Sequence, residues 1–118
     1  MTSDGNLPKK ERILKTGVFR RVYKEGRPAR AGGFSLHVFP NAFGYNRLGI
    51  SVSARRIKKA NRRNRIKRLL RESYRLNKNG LKRGFDIVLS AKSDPGRRAS
   101  LKDVEKVFTQ LAKKGELL

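Results

Sequence analysis

The 118-residue chain has no cysteine and no tryptophan, and its single histidine is His37. Without cysteine there are no disulfides, no thiolate-held zinc and no thiol nucleophile. With one histidine, a histidine-based metal centre or catalytic triad is not expected. Acidic residues are also scarce: Asp4, Glu11, Glu25, Glu72, Asp86, Asp94, Asp103, Glu105 and Glu116 make up all nine. Two-metal nucleases need several carboxylates converging on one site, and no pair here is spaced to suggest one. No glycine-rich phosphate loop of the Walker type is present. No apolar run is long enough to cross a bilayer, and no hydrophobic signal segment follows Met1. These absences point to a reducing cytoplasm and away from catalysis by the chain alone, with no catalytic residue and no metal ligand to name.

Positive charge fills the space left by the acids. Lys and Arg total 31, for a formal net charge of +22. Self-repulsion on that scale destabilises a compact state, so a polyanionic partner is implied. Nucleic acid is the first candidate. An anionic membrane surface fits less well, because no amphipathic helix exposes large aromatics. Hydrophobic residues at 36 % and charged residues at 34 % suit one small, very polar folded domain.

Periodicity predicts an α+β sandwich in the order α-β-β-(β)-α-β-α, with a roughly four-stranded sheet and helices packed on it. A disordered segment is expected over 1–6, a single RNA-binding domain over 7–115 and a short tail over 116–118. Thr16 is placed as the N-cap of a first helix with Val18, Phe19, Val22 and Tyr23 on one face. Gly26 is expected to end that helix in the left-handed conformation, and 27–33 to form a basic loop. Alternation in 34–39 sets Phe34, Leu36 and Val38 against Ser35, His37 and Phe39; Phe34 and Phe39 are expected in the core. A strand follows over 47–53, and a further short one is conceivable over 41–46. A long helix is expected from Ala60 to about Lys78, a strand over 85–91, and a last helix after a Ser100–Asp103 capping box. Leu101, Val104, Val107, Phe108 and Leu111 supply its apolar stripe.

The long helix carries the densest charge. Asn64, Arg68, Arg71 and Arg75 lie opposite a stripe through Ile66, Leu69 and Leu70, while Arg65 and Lys67 flank the polar face. Arginine suits such a face because its planar donors grip phosphate in pairs and its surface stacks on bases. A basic helical face is often only solvated, but here the density is high and Glu72 alone offsets it. Strands on both sides of this helix argue against a major-groove reader of the helix-turn-helix kind.

The run Ala60-Asn61-Arg62-Arg63-Asn64-Arg65-Ile66-Lys67-Arg68-Leu69-Leu70-Arg71 resembles the hallmark of the bacterial ribonuclease P protein family, with its Arg-Asn-Arg core at Arg63, Asn64 and Arg65. Residues 14–26 are similar to the family's first helix, 47–53 to a strand before the basic helix, and 86–88 to the strand after it. The resemblance spans roughly 7–112. It implies a left-handed crossover through the long helix, against the usual preference. It implies a protein subunit of a holoenzyme whose RNA partner, ribonuclease P RNA, holds Mg2+ and removes the 5′ leader of precursor tRNA. The chain itself then binds no metal tightly and needs no protein partner. Carried over by position, Arg62, Arg63, Asn64, Arg65, Lys67, Arg68 and Arg71 contact the catalytic RNA. Phe19, Tyr23, Phe34 and His37 fall in a cleft for the leader, His37 where many relatives have a stacking aromatic. Residues 54–59 are one residue longer than in some relatives, and roles for Arg55, Arg56, Lys58 and Lys59 do not carry over.

Two rivals stand beside this reading. A ribosomal or ribosome-associated protein shares the size and basicity, but usually concentrates charge in tails rather than in an internal helix. A stand-alone nuclease lacks its carboxylate cluster.

Overall fold

The computed structural model describes residues 7–118; the expected disorder over 1–6 lies outside the described residues. Helix α1 (Thr16–Glu25) is followed by strands β1 (Arg27–Ala31), β2 (Phe34–Pro40) and β3 (Arg47–Val52). Helix α2 (Ala60–Asn77), strand β4 (Phe85–Ala91) and helix α3 (Leu101–Lys114) complete the order. The sheet runs β1-β2-β4-β3, with β3 and β4 parallel and the other neighbours antiparallel. Helix α2 is the crossover between the parallel pair.

Alternation gives the two sheet faces opposite chemistry. One face aligns Leu36 with Leu89 and Ile50, and Val38 with Ile87 and Leu48. Those side chains form the core with Ile66, Leu70 and Tyr74 of α2 and Val104, Phe108 and Leu111 of α3. Tyr74 meets Phe108 edge-on, ring centroids 6.2 Å apart. Each fully buried aliphatic or aromatic side chain contributes about 1.5–3 kcal/mol, and this layer holds the fold against its own charge. The other face aligns Ser35, Ser90 and Ser51, then His37, Val88 and Gly49, then Phe39, Asp86 and Arg47. Helix α1 packs there, with Ile13 just before it also against Gly49.

Several expectations need correction. The segment read as a basic loop contains β1, an edge strand where Pro28 removes no needed ladder donor. Gly32 (φ 60°) and Gly33 form its two-residue link to β2, a hairpin signal that the basic composition masked. No strand lies over 41–46. Thr16 is the first helical residue and makes no side-chain cap; Lys15 takes the N-cap position. Gly26 is extended (φ −74°) rather than left-handed. Glycine is needed there for clearance, since a Cβ would sit 2.5 Å from the Val22 carbonyl oxygen and 2.9 Å from that of Val38. Phe39 lies on the α1 face, partly exposed beneath Arg21. The Ser100–Asp103 capping box is present as expected. Packing continues past 115: Leu117 is fully buried, and its carbonyl accepts from the Lys82 N–H, so 116–118 is no free tail.

Candidate nucleic-acid interface

Helix α1 crosses the polar face of the sheet because two contacts seat it there. Phe19 lies on Gly49, where a Cβ would come within 2.7 Å of its ring. Tyr23 stacks on His37 with ring centroids 4.3 Å apart and planes inclined by 26°. On one side of the helix, two adjoining hollows of about 260 and 280 Å³ share Tyr23, Arg56 and Lys92 as walls. Their floor is the serine row, and Arg30 and Ser53 close the rim. The site therefore combines aromatic faces, hydroxyls that donate or accept, and three cations. The Ser90 hydroxyl and the His37 Nδ1 are buried with no hydrogen-bond partner among the described residues, leaving polar capacity beneath the hollow.

His37 is 5 % exposed. Burial lowers its pKa below the ordinary value, and the nearby charges of Arg30 and Lys92 lower it further. The folded state therefore favours the neutral ring, and the stabilisation this provides is complete above the unfolded pKa of about 6.5. It is lost as pH falls below that value, where the unfolded chain takes up a proton that the folded chain resists. Thermal stability is expected to decline from about pH 7 toward pH 5, and His37→Phe to remove part of that slope in melts followed by circular dichroism.

The basic helix divides into two groups that the sequence pattern treated as one. Arg62 donates twice to Asp94, at 2.8 and 2.6 Å, and this grip lowers the Asp94 carboxyl to about 2. Arg63 donates to the carbonyls of Ile57 and Lys58, and Arg65 to that of Ala99. These three arginines tie α2 to the loop before it and to the loop between β4 and α3. Asn64 and Arg68 are exposed, Lys67 and Arg71 half-buried. No hydrogen bond or ion pair engages Lys67, Arg68 or Arg71 among the described residues. Arg75 pairs with Glu72.

Phe34 is shared between the core and the hollow. It borders the hollow, yet it is 7 % exposed and part of the hydrophobic core on the opposite face. Conversely, Arg30, Arg56, Lys92 and the serine row had no assigned role. The polar positions of three alternating strands could have revealed the serines; Lys92 and Arg56 lie in loops, where no periodicity locates them.

Each of the eight acids among the described residues has a partner. Asp86 binds Arg47 at 2.7 and 2.6 Å, and Glu11 pairs with Lys78, Glu25 with Arg21 and Glu116 with Arg27. Asp94 and Glu72 hold Arg62 and Arg75, Asp103 caps α3, and Glu105 accepts from Asn77. No group of three potential metal ligands converges among the described residues. The acids that offset the cations are thus spread through the structure, while the hollow and the outer face of α2 stay cationic.

Comparisons with known proteins converge on one family. The family model described as Ribonuclease P matches residues 7–116. A ribonuclease P protein component from Clostridium botulinum is 39 % identical over 107 residues, covering 90 % of this chain and 95 % of the relative. One from Clostridium acetobutylicum is 41 % identical over 113 residues, covering 93 % and 92 %. Among solved structures, the RNase P protein from Thermotoga maritima superposes with a TM-score of 0.78 at 34 % identity, covering 87 % of this chain and 96 % of that one. An RNase P protein mutant from Staphylococcus aureus gives 0.80 at 28 % identity, covering 93 % and 92 %.

Proposed function

Because the chain belongs to the ribonuclease P protein family, we propose that it joins the ribonuclease P RNA through the outer face of α2 and holds the single-stranded 5′ leader of precursor tRNA in the hollow beside α1. Exposed Asn64 and Arg68, with Lys67 and Arg71, face the catalytic RNA. Arg62, Arg63 and Arg65 act chiefly by fixing α2 in place. The observation that carries the leader site is the Tyr23–His37 stack above a hydroxyl-lined, cation-rimmed floor. Aromatic faces beside a cationic groove bind single strands with little sequence preference. Phe19 supports the site by seating α1 on Gly49.

The chain serves as a non-catalytic subunit of an endonuclease. The acids of the described residues are each partnered and no three potential ligands converge among them; we assign the Mg2+ needed for hydrolysis to the RNA. The protein's part is differential binding: a precursor gains the leader contacts, the mature tRNA lacks them, and product release is favoured. Neutralising phosphate also helps the RNA fold at ordinary ionic strength. This work belongs in the cytoplasm, and no helix of the described residues could cross a membrane.

Cleavage of a precursor tRNA by a bacterial ribonuclease P RNA at low magnesium tests the assignment. The chain is expected to restore cleavage at the mature 5′ end. Tight RNA binding with no stimulation would favour a ribosomal role instead.

A further inference from the structure

Across α1 from the hollow, the same sheet face ends in a second cluster of rings and cations. Phe43 is 50 % exposed on the loop between β2 and β3. Beneath it, the Arg47 guanidinium sits 4.5 Å from the ring centroid and is itself held from below by both oxygens of Asp86. Tyr45 flanks Phe43 at 5.6 Å, and the Lys10 ammonium lies 4.9 Å from the Tyr45 centroid. An exposed ring costs solubility, and a loose loop would let it fold inward; this loop is pinned. The Asn41 side chain donates to the Tyr45 carbonyl and to Asp86, and accepts from the Phe43 N–H. Buried Asn46 donates to the Lys82 carbonyl and accepts from the Phe85 N–H. The ring is thus presented ready-made, with little ordering left to do on binding.

We propose that Phe43 is a second stacking platform, which takes a base from the upstream part of the leader after it leaves the hollow. The inference rests on the leader reading above. Ser51 on the hollow's floor lies four residue steps along β3 from Arg47, about 13 Å of strand. The ridge between them is α1, where Arg20 and Lys24 are exposed and Arg21 lies over the Phe39 ring on the Phe43 side. A strand crossing that ridge meets Arg20, Arg21 and Lys24 against the single acid Glu25 beside Arg21, and its next aromatic surface is Phe43. The one acid beneath the platform, Asp86, is neutralised by Arg47, which leaves the local field attractive to phosphate.

The test measures affinity of the assembled ribonucleoprotein for precursor tRNAs with no leader, a short leader and progressively longer ones, using the wild type, Phe43→Ala and Phe43→Trp. The short leader against none reports on the hollow and so on the leader reading itself. Longer leaders against the short one report on Phe43. Wild type and Phe43→Trp are expected to gain affinity with length, and Phe43→Ala to lose about fivefold of that gain while matching wild type on the short leader. Identical length profiles for Phe43→Ala and wild type would overturn the proposal. So would a loss already present without a leader, or weaker assembly with the catalytic RNA, because the ring would then serve the RNA subunit or the fold.

Discussion

Replacing Lys67, Arg68 and Arg71 together by alanine is expected to weaken binding to the ribonuclease P RNA by about 100-fold at physiological salt. Each phosphate neutralised contributes a salt slope of roughly 0.7–0.9, which at such ionic strength amounts to about four- to sixfold in affinity. Three such contacts multiply to about 100-fold, and the slope of log K against log salt falls by roughly 2 to 2.7. These positions are the ones to change because no described hydrogen bond or ion pair engages them, and alanine is the strongest helix former. Substituting Arg62, Arg63 or Arg65 would mix two effects, since each holds a neighbouring loop. Filter binding over a salt titration measures both quantities. An unchanged slope would remove the outer face of α2 from the RNA interface.

Tyr23→Ala is expected to reduce the assembled enzyme's affinity for a leader-bearing precursor by about tenfold, within the range for loss of one base–aromatic stack. A leaderless tRNA should bind as before. Tyr23 is 39 % exposed, so its removal opens no deep cavity, and the seat of α1 is kept by Phe19 on Gly49 and by buried Val22. Tyr23→Phe keeps the ring and should stay close to wild type. An equal loss with and without the leader would make Tyr23 a structural residue of α1.

The layers of this fold were legible from period alone. Strands 34–39, 47–53 and 85–91 and the three helices appear close to their expected bounds, since alternating and 3.6-residue patterns follow directly from which face is buried. β1 was hidden because an edge strand exposes much of its length and this one carries arginines and a proline. Tyr23 and His37 lie together as the resemblance implied, yet the serines between them and the rim became a site only when three strands were set in register. Phe34 meets both of its expectations: its parity on β2 turns it into the core toward α3, while its edge borders the hollow. The split within the basic helix was invisible. Nothing in the run of arginines distinguishes those that grip Asp94 or a carbonyl from those left to the solvent, because their partners lie up to 34 residues away.

The most direct measurement compares binding of one tRNA, with and without its 5′ leader, to the ribonuclease P RNA alone and to the RNA assembled with this chain. The chain is expected to tighten binding of the leader-bearing form and to leave the leaderless form nearly unchanged. An equal gain for both forms would contradict a leader site beside α1 and reduce the chain's role to support of the RNA.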